Sequence, residues 1–78
     1  MTRRASRHPA ERATDREVLV VAAVLVAGSE KQAAHRLGLS HSTVKHHLAS
    51  ARSKVGASTT MQLVWILAER LPEPGRRD

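Results

Sequence analysis

The 78-residue sequence has no cysteine, and it has few acidic residues for its number of basic ones. Without cysteine the chain can form neither a disulfide nor a thiolate zinc site, two features that often stabilise small domains. A chain of this length buries only about 60% of its unfolded surface, so association with a second chain would add to a marginal core. The formal net charge of +6 favours polyanionic partners, with nucleic acid ahead of an acidic membrane.

The patterns that catalysis or metal binding would require are missing as well. No nucleophile, base and orienting group stand together, and no glycine-rich loop is present to hold a phosphate. Three of the five histidines, His41, His46 and His47, have a spacing that does not bring their imidazoles to one point on a helix. We therefore predict that the chain is not an enzyme and has no metal site and no cofactor.

The longest apolar run covers residues 18–27, and three structures compete to explain it. A membrane span needs about 20 residues, twice the length of this run. An export signal is a stronger alternative, because arginines precede the run. However, Glu11, Asp15 and Glu17 lie between those arginines and the run, and cleavage would leave roughly fifty residues with too little apolar surface for a core. We favour a helix of a small soluble domain, with no membrane partner.

Capping residues support this first helix. Thr14 and Glu17 have the spacing of a capping box, and Gly28 follows the run as a left-handed stop, so we predict a helix over residues 15–27. Five valines in the run make a buried strand the alternative. Because the helix would be apolar all round, the rest of the domain has to cover it on most sides.

The remaining sequence predicts three more helices. Each begins at a serine or threonine cap and ends at a glycine or proline. Their predicted limits are Ser29 to Gly38, Ser40 to Gly56, and Thr59 or Thr60 to Pro72. The sequence thus predicts an all-α domain over residues 14–71, a basic flexible arm over 1–13 and a flexible tail over 72–78. The arm either contacts DNA or only increases solubility.

The second and third predicted helices together have the form of a helix-turn-helix. Gly38 lies in the turn, and Leu39 is placed to fill the core beneath it. In this motif the second helix enters the major groove of DNA. Residues 29–58 have five basic side chains against one acidic one, which suits that role. The apolar positions of this helix recur on one face, at Val44, Leu48, Ala51 and Val55.

The segment GSEKQAAHRLGLSHSTVKHHLASARSKVGA, residues 28–57, resembles the LuxR-type (GerE-like) DNA-binding domain. The flanking segments REVL and LVWIL extend the resemblance over about residues 14–71. Region 4 of extracytoplasmic-type sigma factors shares part of the pattern, but it usually lacks His47 and the helix that contains Trp65. The residues that match the LuxR-type signature are Ser29, Leu37, Gly38, Ser40, Thr43, Val44, Lys45, His47, Lys54, Val55 and Gly56.

The resemblance implies a four-helix domain whose third helix, about residues 41–55, reads the major groove and whose fourth helix pairs two copies. By position, Lys45, His46 and Ala49 would face base edges. The residues that would hold phosphates are Ser42, Thr43, Arg52 and Lys54. On the fourth helix, the resemblance turns Leu63, Val64, Leu67 and Leu71 towards the core. The outward stripe that remains, and that we expect to form the dimer interface, is Met61, Trp65 and Ala68.

We therefore expect a sequence-specific transcriptional regulator that binds double-stranded DNA as a homodimer. We also expect it to be cytoplasmic, associated with the nucleoid, and to act without a receiver or ligand-binding domain. The alternative is an adaptor or a module like sigma region 4, which binds RNA polymerase or another regulator and for which DNA contact is secondary.

Overall fold

The computed structural model describes residues 8–72, and this part of the chain contains four α-helices and no strand. The all-α fold predicted from the sequence is confirmed, and the strand alternative for the apolar run is wrong. A short 3₁₀ turn precedes the helices and another follows them. The elements are the N-terminal turn Pro9–Arg12, α1 Asp15–Ala27, α2 Glu30–Leu37, α3 His41–Val55, α4 Thr60–Leu67 and the C-terminal turn Ala68–Arg70.

Local capping explains where the helices begin and end. The side chain of each N-cap accepts a hydrogen bond from the backbone amide three residues further on. Thr14 and Glu17 form the predicted capping box, with both reciprocal hydrogen bonds present. Gly38 has a φ of 69°, a left-handed conformation that costs glycine little because it has no Cβ, and it allows the tight turn between α2 and α3. The four N-caps are Thr14, Ser29, Ser40 and Thr59.

The core lies where the inner faces of the four helices meet. All four predicted apolar positions of α3 are buried, which confirms its inner face. Ala33 and Ala51 are completely buried, so small side chains stand where helices approach closely. The largest fully buried side chains are Val20, Val21, Val44, Leu48, Leu63 and Leu67.

The N-terminal turn packs against the helices, and it lies within the segment 1–13 that the sequence predicts as a flexible arm. Ala10 and Ala13 are buried in the core. The Nη1 of Arg70 donates to the carbonyl oxygens of Ala10 and Ala13 at 2.6 and 2.7 Å, and its Nη2 donates to Asp15 Oδ1 at 2.8 Å. These contacts join residues more than fifty positions apart, so local sequence does not indicate them. The first seven residues of the predicted arm, and residues 73–78 of the predicted tail, lie outside the described residues.

The outer face of α1 is uncovered, which contradicts the expectation that the domain covers this helix on most sides. Leu19, Leu25 and Val26 are 46%, 42% and 58% exposed. After Gly28 the chain bends by 117° into the short α2, so only the inner side of α1 is packed. No single helix within residues 8–72 is long and apolar enough to cross a membrane, and α1 with α2 reaches that length only as this bent pair.

Candidate nucleic-acid interface

The outer face of α3 presents the three residues predicted to read bases. Since α3 buries one side in the core, the opposite side of the helix points away from the domain. Lys45, His46 and Ala49 are all exposed there, and the Lys45 side chain is 64% exposed. Their spacing of one, three and four residues places them within about one helical turn. The structure thus brings these candidates together on one accessible surface.

Hydroxyl groups cluster at the N-terminus of α3. The Ser40 hydroxyl caps the helix by accepting from the Thr43 amide, and it donates to Thr43 Oγ1 at 2.8 Å. Ser42 Oγ lies 3.2 Å from Ser40 Oγ. The N-terminus of a helix attracts anions through its amide groups and its dipole. Ser42 and Thr43, both predicted phosphate contacts, therefore lie at an end of α3 that favours a phosphate.

The other two predicted phosphate contacts, Arg52 and Lys54, also bind neighbouring helices. Arg52 Nη1 donates to Thr60 Oγ1 at 3.3 Å and so connects α3 to the start of α4. Lys54 Nζ lies 3.0 Å from Glu17 Oε2, and its side chain remains 41% exposed. Their contact with phosphate stays a prediction, and each residue has a structural contact that the sequence did not indicate.

Glu17 is a buried carboxylate that joins the start of α1 to the end of α3. It is 4% exposed. One oxygen accepts from the Thr14 amide at 2.9 Å, and the other accepts from Ser50 Oγ at 2.9 Å and Lys54 Nζ at 3.0 Å. Burial by itself would raise the pKa of Glu17, but these hydrogen bonds and the Lys54 charge outweigh it and hold the pKa below its usual value. The capping box was predicted, whereas the contacts of the second oxygen were not.

Glu30 is a second carboxylate beside α3, and it was not among the site residues predicted from the sequence. Its Oε1 lies 3.4 Å from His41 Nε2 and 3.7 Å from Lys45 Nζ. Glu30 is the one acidic residue within residues 29–58, and this was the sequence feature that could have identified it. The surface predicted to face DNA therefore includes one negative charge next to a predicted base contact.

The outward stripe of α4 lies where it was expected. Met61 and Trp65 are 73% and 78% exposed, and Ala68 is exposed at the start of the C-terminal turn. On the opposite side, Leu63 and Leu67 are completely buried. The α-helix ends at Leu67, but Ala68 keeps helical dihedral angles, so the stripe continues without a break. The orientation of the stripe is as predicted, and its role as an interface stays a prediction.

The four helices, the tight turn between α2 and α3 and the basic outer face of α3 define a helix-turn-helix DNA-binding domain. A family model of bacterial regulatory proteins, the luxR family (GerE), matches residues 13–67. No curated protein and no solved structure gives a significant match. Because the family model covers most of the chain, the protein belongs to the luxR family of bacterial regulatory proteins and is a DNA-binding transcription regulator.

Proposed function

We propose that this regulator recognises a specific DNA sequence as a dimer, with α3 of each copy in the major groove. The observation that carries the proposal is the outer face of α3, where Lys45 and His46 are exposed beside the hydroxyl groups of its first turn. The major groove admits an α-helix, and it presents a distinct donor and acceptor pattern for each base pair. Lys45 and His46 are suited to base edges, and Ser42, Thr43, Arg52 and Lys54 to phosphates.

The outward stripe of α4 supports the dimer. An exposed tryptophan one turn from an exposed methionine forms an apolar patch, and Ala68 beside it leaves room for a second helix to approach. A two-fold contact of α4 against α4 buries this patch and places two recognition helices about 34 Å apart, one turn of DNA. Trp65 is the central residue of this interface.

The dimer is tested by Trp65→Lys, with Val26→Lys as the matched control. Both variants replace an exposed apolar side chain by lysine, on α4 and on the outer face of α1 respectively. We expect Trp65→Lys to sediment as a monomer and to lose tight binding to a palindromic site while keeping weak half-site binding. Val26→Lys should behave as the wild type in both assays. A wild-type protein that sediments as a monomer both free and on DNA contradicts the proposal.

A second candidate function is supported by the uncovered outer face of α1. Leu19, Leu25 and Val26 offer an exposed apolar surface on a different helix from the α4 stripe, and in this function it binds a protein such as RNA polymerase or another regulator. In this adaptor function, DNA contact is secondary. Footprinting on genomic fragments distinguishes the two candidate functions, because a sequence-specific regulator protects defined DNA sites without any added protein. Either function is exercised at the nucleoid, in the cytoplasm.

A further inference from the structure

Glu30 stands at the surface that is proposed to contact DNA, and its position suggests a role in discrimination. We infer that Glu30 is a specificity-determining residue, which restrains Lys45 and repels phosphates so that random DNA is bound weakly relative to the preferred site. The inference rests on the proposed function of α3 in sequence recognition. A protein that needed only affinity for DNA would bind DNA more tightly with a neutral or basic residue at position 30 than with a negatively charged one.

The geometry connects Glu30 to the first two turns of α3. Glu30 is the first residue of α2, directly after the Ser29 cap. A single carboxylate oxygen faces His41 Nε2 at 3.4 Å and Lys45 Nζ at 3.7 Å, and these two residues are four positions apart on α3. The Glu30 side chain is 33% exposed and the Lys45 side chain 64%. The carboxylate therefore limits the positions of the Lys45 ammonium without burying it.

The electrostatic effect of Glu30 differs between random and preferred DNA. Binding to random DNA rests on phosphate contacts, which are sequence-independent. A phosphate near the first turn of α3 lies within a Debye length, about 8 to 10 Å, of the Glu30 charge and is repelled by it. At the preferred site, Lys45 also reaches a base edge, and its restraint beside Glu30 reduces the conformational freedom lost on binding. Glu30 thus weakens the random complex more than the specific one.

Three other acidic residues are placed differently. Glu17 is buried beneath α3, and Asp15 is bound to Arg70. Glu69 is exposed on the C-terminal turn, which follows α4 rather than α3. Glu69→Gln therefore changes the net charge of the protein as Glu30→Gln does, but away from the recognition helix, and it is the matched control.

The test compares the dissociation constants of wild type, Glu30→Gln and Glu69→Gln for two DNA duplexes. One duplex is enriched from a random library by the wild-type protein, and the other has the same composition in scrambled order. We expect Glu30→Gln to bind the scrambled duplex about threefold tighter, with a salt slope steeper by up to about one unit. Its affinity for the enriched duplex should change less, so the dissociation constant for the scrambled duplex divided by that for the enriched duplex falls. Glu69→Gln should leave this ratio unchanged, and melting temperatures verify that all variants are folded.

Each of the following results would overturn the inference. Equal tightening on both duplexes, or an equal shift in Glu69→Gln, means that Glu30 acts only through net charge. Weakening on the enriched duplex without tightening on the scrambled one excludes the repulsion of phosphates, and it is also the result expected of a carboxylate that accepts from cytosine. If Glu30→Gln changes the ratio of dissociation constants as much in a Lys45→Ala background as in the wild type, Glu30 does not act by restraining Lys45. If the wild-type protein enriches no sequence, the proposed function fails together with this inference, whereas the other results leave that function intact.

Discussion

The two ends of α3 are each joined to another helix by a lysine and a glutamate, and the two pairs differ in burial. At the C-terminal end, Lys54 Nζ lies 3.0 Å from Glu17, whose side chain is 5% exposed. At the N-terminal end, Lys45 Nζ lies 3.7 Å from Glu30, whose side chain is 33% exposed. Water screens the second pair more than the first, because Glu17 is buried although Lys54 remains 41% exposed. The Glu17 carboxylate therefore serves the fold, whereas both lysines remain accessible to DNA.

The largest expected effect is on stability and concerns the buried pair. Glu17→Ala removes the capping box of α1 and the acceptor for Ser50 and Lys54, and we expect the free energy of unfolding to fall by about 3 kcal/mol. Glu30→Ala should lower the free energy of unfolding by about 0.5 kcal/mol, because the ion pairs of Glu30 are exposed to water. Urea unfolding followed by circular dichroism measures both. Equal losses would show that burial does not separate the two pairs.

A second comparison uses the lysines and measures DNA binding. Lys45→Ala should leave stability unchanged and weaken binding to the preferred site by about 2 kcal/mol, through loss of a base contact. Lys54→Ala should weaken binding to all sequences alike and lower the salt slope by about one unit. It should also destabilise the domain by about 1 kcal/mol, less than a fully buried partner would, because its side chain is 41% exposed. Equal losses on specific and random DNA for both variants would contradict the assigned faces of α3.

The pH dependence of stability is expected to be the smallest effect, since burial opposes the hydrogen bonds of Glu17. Those bonds lower the pKa of Glu17 in the folded state, so its ionised form stabilises the fold. This contribution is complete above about pH 4.3, the ordinary pKa of glutamate, and is lost as the pH falls through the lower pKa of the folded state. The difference in unfolding free energy between wild type and Glu17→Ala should therefore shrink below that pH. A constant difference from pH 6 to pH 3 would exclude this contribution.

Local signals explain why most of the fold was predictable. Thr14, Ser29 and Ser40 were recognised as caps because a short polar side chain accepts from an amide three residues away, within the same segment. The limits of α1, α2 and α3 followed from these caps and from the glycines that end the helices. The outer face of α3 was predictable for the same reason, because helical geometry places Lys45, His46 and Ala49 away from the buried positions. Their selection as base contacts came from the resemblance to the LuxR-type domain.

Contacts between distant residues were decided only by the tertiary structure. Arg70 binds the carbonyl oxygens of Ala10 and Ala13, and Lys54 binds Glu17, across 60, 57 and 37 positions of sequence. No local pattern specifies such pairs, because they depend on how four helices pack. The sequence by itself determined the helices, their caps and the family, since these follow from neighbouring residues. The packing decided that Ala10 and Ala13 join the core, that the outer face of α1 stays exposed, and that Glu30 stands beside Lys45.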